Sequence, residues 1–286
     1  MQKVKNNMRI KISADSTCDL SRSLIEEYQI GICPLHICIG EESYLDTVEI
    51  DPETLFQKVD AGLPYHTAAV NVQEYLDIFS GYLKEYDAVV HVTISSDMSS
   101  CYQNACIAAE ELGNVYVVDS RNLSCGMGHL VLDAAQLAAE GMEAEAIKRE
   151  LDARKEKLDV SFVLATLEYL QKGGRCSAIV ALGANLLHLR PCVQVRGGKM
   201  QVGKKFRGKM DKCYLDYIRE ALSNPETVDT RRIFITDSGL TEEQRQMLED
   251  EVRSILPFET IYHTQAGCTI SGHCGPQCMG VLFYRK

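Results

Sequence analysis

Hydrophobic and polar positions along the first half of the chain predict strands that alternate with amphipathic helices. The runs 87–95 and 114–120 are apolar almost throughout, as is typical of parallel strands buried on both faces. This order predicts an α/β fold with an open, mainly parallel sheet, flanking helices and right-handed crossovers. The predicted strands are 8–14, 31–39, 87–95 and 114–120, and the predicted helices are 21–29, a short one opening at 51–56, 72–86, 99–112, 124–140 and 143–157, with a loop over 61–71.

The second half mixes helix patterns with a hairpin pattern and predicts an α+β domain. The segment 191–206 is expected to form the hairpin, because Gly197-Gly198 is a favoured turn dipeptide. We expect an N-terminal domain over 1–159 and a C-terminal domain over 160–286. The remaining predicted strands are 161–166, 232–238, 258–263 and 280–286, and the remaining predicted helices are 167–173, 177–189, 208–222 and 241–254.

Composition excludes several classes of protein. Of 286 residues, 45% are hydrophobic and 24% are charged, which excludes intrinsic disorder. The net charge of −10 argues against a nucleic-acid partner, which needs clustered Lys and Arg. The apolar stretch 125–142 is broken by polar residues, and the N-terminus lacks the apolar run of a signal peptide. We therefore expect a cytoplasmic protein without stable membrane insertion.

Twelve cysteines are the unusual feature of the composition. In a reducing cytoplasm we interpret most of them as small buried hydrophobic residues and expect no disulfide framework. The tightest group, Cys268, His273, Cys274 and Cys278, leaves a zinc site open, although adjacent His273 and Cys274 would strain one tetrahedral shell. We expect no metal and no cofactor.

Hydroxyl side chains are concentrated where the buried strand 87–95 ends. Ser95, Ser96, Ser99 and Ser100 lie there, and open α/β sheets bind ligands at the carboxyl ends of their strands. One serine is enough to cap the following helix, so the cluster indicates either a cap with solvated neighbours or an anion or carboxylate site. Asp-Ser dipeptides at three other strand ends are interpreted as helix caps, with a catalytic or metal-binding carboxylate as the alternative; they begin at Asp15, Asp119 and Asp237.

Two further features have both a structural and a functional interpretation. His273 lies between Gly272 and the Gly275-Pro276 pair, which would hold the imidazole rigidly, and with a Ser or Cys it would form a nucleophile–base pair. The segment 196–212 carries seven basic residues and one acidic residue, 7 − 1 = +6. It is either a solvated face or a surface for an acidic protein or nucleotide phosphates.

Sequence motifs for common enzyme chemistries are absent. The chain has no phosphate-binding G-x-x-x-x-G-K-[ST], no G-x-G-x-x-G after the first strand and no G-x-S-x-G. Hydroxyls and one histidine without a cofactor cradle favour a binding protein over a self-sufficient enzyme.

Seven short segments, in this order over about residues 10–280, resemble the DegV family: ISADSTCDL, LPYHTAAV, SSDMSSCYQNA, VYVVDSRNLSCGMG, LEYLQKGGR, RGKM and GHCGP. The resemblance implies a bacterial fatty-acid-binding protein that serves as the lipid-carrying subunit of fatty acid kinase. It implies a buried tunnel for a long-chain fatty acid such as palmitate, stearate or oleate. It also implies that the protein is not itself the enzyme, since a separate kinase subunit would form the acyl phosphate.

The resemblance also implies roles for individual residues. Thr67, Ser95, Ser96, Ser99 and His273 match family positions that would surround the carboxylate, while Arg175 and Arg207 match positions that would meet the kinase subunit. The sequence departs from the family pattern at Ala68-Ala69, at Ser100-Cys101 and at Gln277-Cys278.

Lipid burial accounts for affinity on this hypothesis. A tail of about 15 methylenes, at roughly 0.8 kcal/mol each, contributes on the order of 12 kcal/mol before binding costs. Two rival hypotheses stay open at this point: an acyl hydrolase or transferase using Ser99 or Cys274 with His273, and a regulatory protein acting through the basic hairpin.

Overall fold

Three sheets and the helices around them form the computed structural model, which describes residues 8–176 and 189–286. Strands β1 to β13 are Ile10–Asp15, Gly31–Cys33, His36–Ile39, Glu42–Leu45, Tyr65–Ala68, Ala88–Thr93, Val115–Asp119, Leu158–Val163, Leu189–Arg196, Lys199–Arg207, Val228–Asp237, Thr260–Gln265 and Met279–Arg285. Helices α1 to α10 are Arg22–Glu27, Pro52–Asp60, Val72–Leu83, Cys101–Leu112, Ser124–Ala139, Ala144–Arg154, Glu168–Gly173, Met210–Ala221, Glu242–Ile255 and Cys268–Cys274.

The first sheet is entirely parallel, in the order β2-β1-β6-β7. All six residues of β6 are buried, as the continuous apolar run predicted. The helices that follow these strands cover both faces, so the α/β prediction for the first half is confirmed. Strand ends β1, β6 and β7 meet at one edge of this sheet.

The second sheet is mixed, in the order β10-β9-β8-β13-β11-β12, and only β11 and β12 are parallel in it. Gly197 and Gly198 have φ of 55° and 84° and form the predicted hairpin turn between β9 and β10. Two positive φ values at a two-residue loop match the twist of the flanking strands.

Helix α5 lies between the two large sheets. One apolar cluster includes Val90 of the first sheet, Leu130 of α5, and Val160 and Leu282 of the second sheet. His129 Nε2 lies 2.9 Å from the carbonyl oxygen of Leu282 in β13. The boundary near 159 coincides with the start of β8, and the division into two domains stays a prediction.

A third, three-stranded antiparallel sheet, β4-β3-β5, was not predicted. The predicted strand 31–39 is wrong as a single element: β2 and β3 lie on either side of Pro34 and belong to different sheets. The predicted loop 61–71 contains β5, because its backbone pairs with β3. Ile37 and Ile39 of β3 pack on Leu55 of α2 and on Cys268 of α10.

Other predictions require smaller corrections. The segment 268–274 around His273 is a short helix, α10, where a tight turn had been expected. Of the predicted helix 177–189, residues 177–188 lie outside the described residues, and Leu189 already pairs with Arg207 in the hairpin.

Two helices begin with capping boxes that the sequence analysis did not name, and the interpretation of the Asp-Ser dipeptides as helix caps is wrong. Asn71 forms a capping box with Glu74, and Thr241 forms one with Gln244. The three Asp-Ser aspartates cap no α-helix through their side chains. Asp15, for example, accepts hydrogen bonds from Tyr75 Oη at 2.5 Å and from the Ile94 amide at 2.9 Å.

Within residues 8–176 and 189–286, no helix combines the length and the apolar character that crossing a bilayer requires.

Candidate functional site

A cavity opens at the carboxyl edge of the parallel sheet, where sheets of this kind bind ligands. The space inside it amounts to about 670 Å³, its open mouth included. Its walls come from the loop after β6, from the end of β5, from α7 and α10, and from Met200 of the hairpin. The lining is largely apolar, with Leu35, Ile94, Leu123 and Leu170 among it.

Hydroxyls and one imidazole supply the polar part of this cavity. Thr67 of β5 and His273 of α10 both line it, and Thr67 Oγ1 lies 3.0 Å from His273 Nε2. Ser99 and Ser100, just before α4, line it from the other side. The structure therefore brings Thr67, Ser99 and His273 to one cavity, although they are far apart in sequence.

His273 is held in its neutral form. Burial, and secondly the positive charge of Arg175, lower the pKa of His273 to about 4. Gly173 of α7 packs directly against the ring, since a Cβ there would lie 2.0 Å from His273 Nδ1. Nδ1 is buried and has no hydrogen-bond partner among the described residues. The imidazole is thus fixed in place by packing on one side and by Thr67 on the other.

The two arginines of the sequence analysis lie in different places. Arg175 lines the cavity beside His273, and its Nη1 donates to the Gly173 carbonyl oxygen at 2.8 Å. Arg207 is exposed at the last position of β10 and does not line the cavity.

Ser95 and Ser96 do not line this cavity, and their assignment to a carboxylate site stays a prediction. Ser95 is fully buried and donates to the Gly198 carbonyl oxygen at 2.7 Å. Ser96 Oγ donates to Asp119 Oδ2 at 2.6 Å. Both hydroxyls are already engaged in joining loops, which a serine-rich pattern does not reveal.

Two buried aspartates that the sequence analysis missed position α10. Asp19 accepts from the Gly267 amide at 2.9 Å and from Ser124 Oγ at 2.5 Å. Asp46 accepts from the Cys268 amide at 2.8 Å. Burial raises the pKa of both carboxyls, that of Asp19 to about 8. They bond the free amides at the start of the helix that carries His273.

A second, smaller cavity of about 350 Å³ adjoins the first and shares Leu123, Ile270 and Cys274 with it. Phe162 and Leu282 of the second sheet form part of its wall. Its polar lining residues use their hydroxyls elsewhere: Ser161 with Tyr217, Thr236 with Thr264, and Ser238 with the Gly275 carbonyl. The wall therefore presents mostly carbon to the interior.

Among the described residues, His273 forms no hydrogen bond with Ser99 or Cys274, the two nucleophiles of the hydrolase hypothesis. The Nε2 atom of His273 contacts Thr67, and Ser99 Oγ lies 3.2 Å from Cys101 Sγ. Ser13, His91 and Asp15 are hydrogen-bonded in a row, but all three are fully buried and none lines a described cavity. In the same residues no cluster of His, Cys, Asp and Glu is arranged to hold a metal ion.

Fold and cavity together define a class: an α/β protein with three sheets and a largely apolar pocket, whose polar end holds hydroxyls and one neutral imidazole with the Arg175 guanidinium beside them. The family model described as "Uncharacterised protein, DegV family" matches residues 9–286. The chain belongs to the DegV family.

Individual relatives agree over their full length. A DegV domain-containing protein of Clostridium perfringens is 33% identical over 282 residues, covering 96% of this chain and 98% of the relative. A Thermus thermophilus DegV family protein, described by its fatty acid binding, has a TM-score of 0.90 at 32% identity and covers 98% of this chain and 100% of its own. A DegV lipid binding protein of Thermotoga maritima has a TM-score of 0.85 at 27% identity, covering 97% and 99%.

Proposed function

We propose that the protein binds a long-chain fatty acid and presents its carboxylate to a separate kinase subunit, which forms the acyl phosphate. The observation that carries this proposal is the pairing of an uncharged polar end, Thr67, Ser99 and His273, with two adjoining apolar cavities. Palmitate, stearate and oleate are ligands of the chemistry that such a pocket fits.

Tail burial supplies most of the affinity. The combined cavities offer walls of Leu, Ile, Phe and Cys side chains, and each buried methylene contributes about 0.8 kcal/mol. The second, smaller cavity favours an acyl tail over a polar ligand, because the hydroxyls of Ser161, Thr236 and Ser238 already have partners. A polar ligand in that cavity would find few groups to replace its bonds to water.

The polar end suits a carboxylate that must still react. Hydroxyls of Thr67 and Ser99 can donate to it, and a neutral His273 leaves the Thr67 proton free by donating its Nε2 proton to the Thr67 oxygen. Neutral donors satisfy the buried oxygens but bind them less strongly than a bidentate guanidinium would. One carboxylate oxygen thus keeps the electron density it needs to attack phosphorus. Arg175, beside His273 at the cavity wall, adds positive charge where a phosphoryl group would arrive.

Relatives support the ligand class. The Thermus thermophilus protein, which is described by its fatty acid binding, aligns with 98% of this chain. The Thermotoga maritima relative is described as a lipid binding protein.

The kinase subunit is proposed to approach at the cavity mouth and along the basic hairpin. Arg175 lies at the cavity, and Arg207 is exposed on β10 without a hydrogen bond or ion pair to another described side chain. Exposed arginines without partners suit transient recognition of an acidic or phosphate-bearing surface.

Native mass spectrometry of the purified protein tests lipid binding. We expect an added mass of a C14–C18 acid, and we expect the double variant Thr67→Ala with Ser99→Ala to lose most of it. Ser96→Ala is the matched control, since it removes a hydroxyl of the same loop that bonds Asp119 instead of lining the cavity. Retention of the full lipid mass in the double variant would show that the polar end is assigned wrongly.

An assay of acyl phosphate formation tests the proposed kinase partner. Lipid-loaded protein, ATP and a fatty acid kinase catalytic subunit should form acyl phosphate, whereas the protein with ATP alone should form none. Arg175→Ala and Arg207→Ala are expected to slow the reaction, with Arg253→Ala, a partly exposed arginine of α9 outside the basic hairpin, as control. Turnover of acyl esters by the protein alone, abolished by His273→Gln, would favour the hydrolase alternative instead.

A further inference from the structure

The tip of the β9–β10 hairpin is fastened to the loops at the carboxyl ends of β6 and β7. Ser95 donates to the carbonyl oxygen of Gly198 at 2.7 Å, and Arg121 donates to that of Gly197. These bonds join parts of the chain that are about a hundred and about eighty positions apart in sequence, respectively. We call this set, with Asp97 and Lys199, the hairpin-tip contact.

Charged groups complete the hairpin-tip contact. Asp97 receives Arg121 Nη1 at 2.5 Å from one side and Lys199 Nζ at 3.6 Å from the other. The Arg121 backbone amide donates to Asp119 Oδ1 at 3.0 Å, which ties the backbone of Arg121 to the end of β7. The side chains of Arg121 and Asp97 are 33% and 26% exposed, so these ion pairs are open to solvent and to salt.

Gly198 at the hairpin tip packs closely against the Arg121 guanidinium. A Cβ at Gly198 would lie 2.5 Å from Arg121 Cζ, and its φ of +84° also favours glycine. The contact is therefore a specific docking of backbone on guanidinium, formed without any apolar burial of its own.

The two parts that the hairpin-tip contact joins are opposite walls of the cavity. Met98, Ser99 and Ser100 line it from the loop that carries Asp97. Met200, two residues after Gly198, lines it from the hairpin. Release of the tip would therefore separate two cavity walls.

The first part of β10 is built to move without unfolding the sheet. Among the described strands β10 pairs with β9 alone, at the edge of the sheet, and its register shifts between Val202 and Lys205. A bulge of this kind bends an edge strand locally, and Gly203 lies inside it. The ion pairs of Arg121 and Asp97 at the tip are partly exposed, whereas the Ser95–Gly198 bond is buried, and partly exposed polar contacts at an edge belong to the least stable part of a fold.

We infer that the hairpin tip is the movable wall of the lipid pocket, and that breaking and re-forming the hairpin-tip contact sets the rate of fatty acid entry and release. This inference rests on the proposed lipid-binding function. It predicts that Arg121 and Asp97 control exchange kinetics while contributing little to affinity, since a wall that opens more often speeds entry and release together.

Exchange of radiolabelled palmitate from the loaded protein to phosphatidylcholine vesicles tests the inference. We expect Arg121→Ala to speed release about three- to tenfold, and Asp97→Asn by a smaller factor, because partly exposed pairs and carbonyl bonds are individually weak. Uptake should accelerate alongside release, so that Kd changes by less than either rate. Release from the wild type should also accelerate with sodium chloride, and Arg121→Ala should lose most of that salt dependence.

Lys204→Ala is the matched control, because it breaks the Lys204–Glu220 ion pair on the same strand, at the register shift and away from the hairpin tip. It should leave the release rate unchanged. Release rates of Arg121→Ala and Asp97→Asn equal to that of the wild type would overturn the inference, as would a rise in Kd with no change in uptake. Absence of palmitate binding by the wild type would overturn the proposed function itself, and the inference with it.

Discussion

Gly173 is the position where one added methyl group should disturb the polar end of the pocket most directly. An alanine Cβ there would lie 2.0 Å from His273 Nδ1 and 2.8 Å from Cε1, both far inside the 3.4 Å at which ordinary contacts begin. Either α7 or the imidazole must shift by about 1.4 Å, the difference 3.4 − 2.0. The His273–Thr67 pair, at 3.0 Å, cannot absorb a shift of that size, because hydrogen bonds of this type span only about 2.7–3.2 Å.

The expected cost follows from that lost bond. A hydrogen bond between two neutral groups contributes about 0.5–1.5 kcal/mol, so Gly173→Ala should weaken fatty acid binding roughly 2- to 10-fold. Tail burial is untouched, so binding should weaken without being abolished. Stability should fall as well, although alanine is the better helix former by about 0.5–1 kcal/mol.

Titration with a fluorescent fatty acid, together with urea unfolding, measures both effects. Gly81→Ala is the matched control: Gly81 also lies in a helix, and its added Cβ meets nothing within 4 Å. It should keep the wild-type Kd and gain stability. Wild-type affinity in Gly173→Ala with equal or greater stability would refute the packing of Gly173 against the imidazole and its role in placing His273.

Three further predictions concern stability. The folded-state pKa of His273, about 4, lies below its unfolded value of 6.5. The free energy of unfolding therefore falls by up to about 3 kcal/mol as the pH drops from about 6.5 to 4. Urea unfolding of His273→Gln at both pH values should show less of that loss. The pKa of Asp19 is raised from 3.8 to about 8, so its carboxyl costs stability increasingly as the pH rises between those values. Asp19→Asn should therefore raise Tm more at pH 8 than at pH 4, and an equal change at both would contradict the raised pKa. Gly198→Ala should lower Tm more than Gly62→Ala, because both have φ near +85° but only Gly198 faces Arg121; equal losses would show that backbone strain alone acts.

Local patterns were enough to predict the parallel sheet. Continuous apolar runs predict β6 and β7, and the Gly197-Gly198 dipeptide predicts the hairpin turn. The small sheet was missed because its strands have only four residues each and are stabilised by pairing with segments distant in sequence. Four residues of alternating polar and apolar character are too few to distinguish the strand β5 from a loop by sequence alone.

The polar end of the pocket was only partly predictable. Thr67, Ser99 and His273 came from family resemblance, and the structure brings them to one cavity. Ser95 and Ser96 belong to the same serine-rich segment and match the same family pattern. In the structure Ser95 donates to Gly198 at the hairpin tip, and Ser96 donates to Asp119. Which of several adjacent hydroxyls faces a ligand depends on the backbone path after β6, and composition holds no information about that path.

Helix α10 explains why such a site needs distant buried charges. It has seven residues, and an isolated helix of that length is not stable in water. The Gly267 amide donates to Asp19, which lies in the segment after β1. The Cys268 amide donates to Asp46, which directly follows β4. Burying two carboxyls costs stability, as their raised pKa values indicate, yet their removal would leave helix amides without partners in a buried place. The position of His273 is thus determined by residues more than two hundred positions away, whose own role is invisible without the fold.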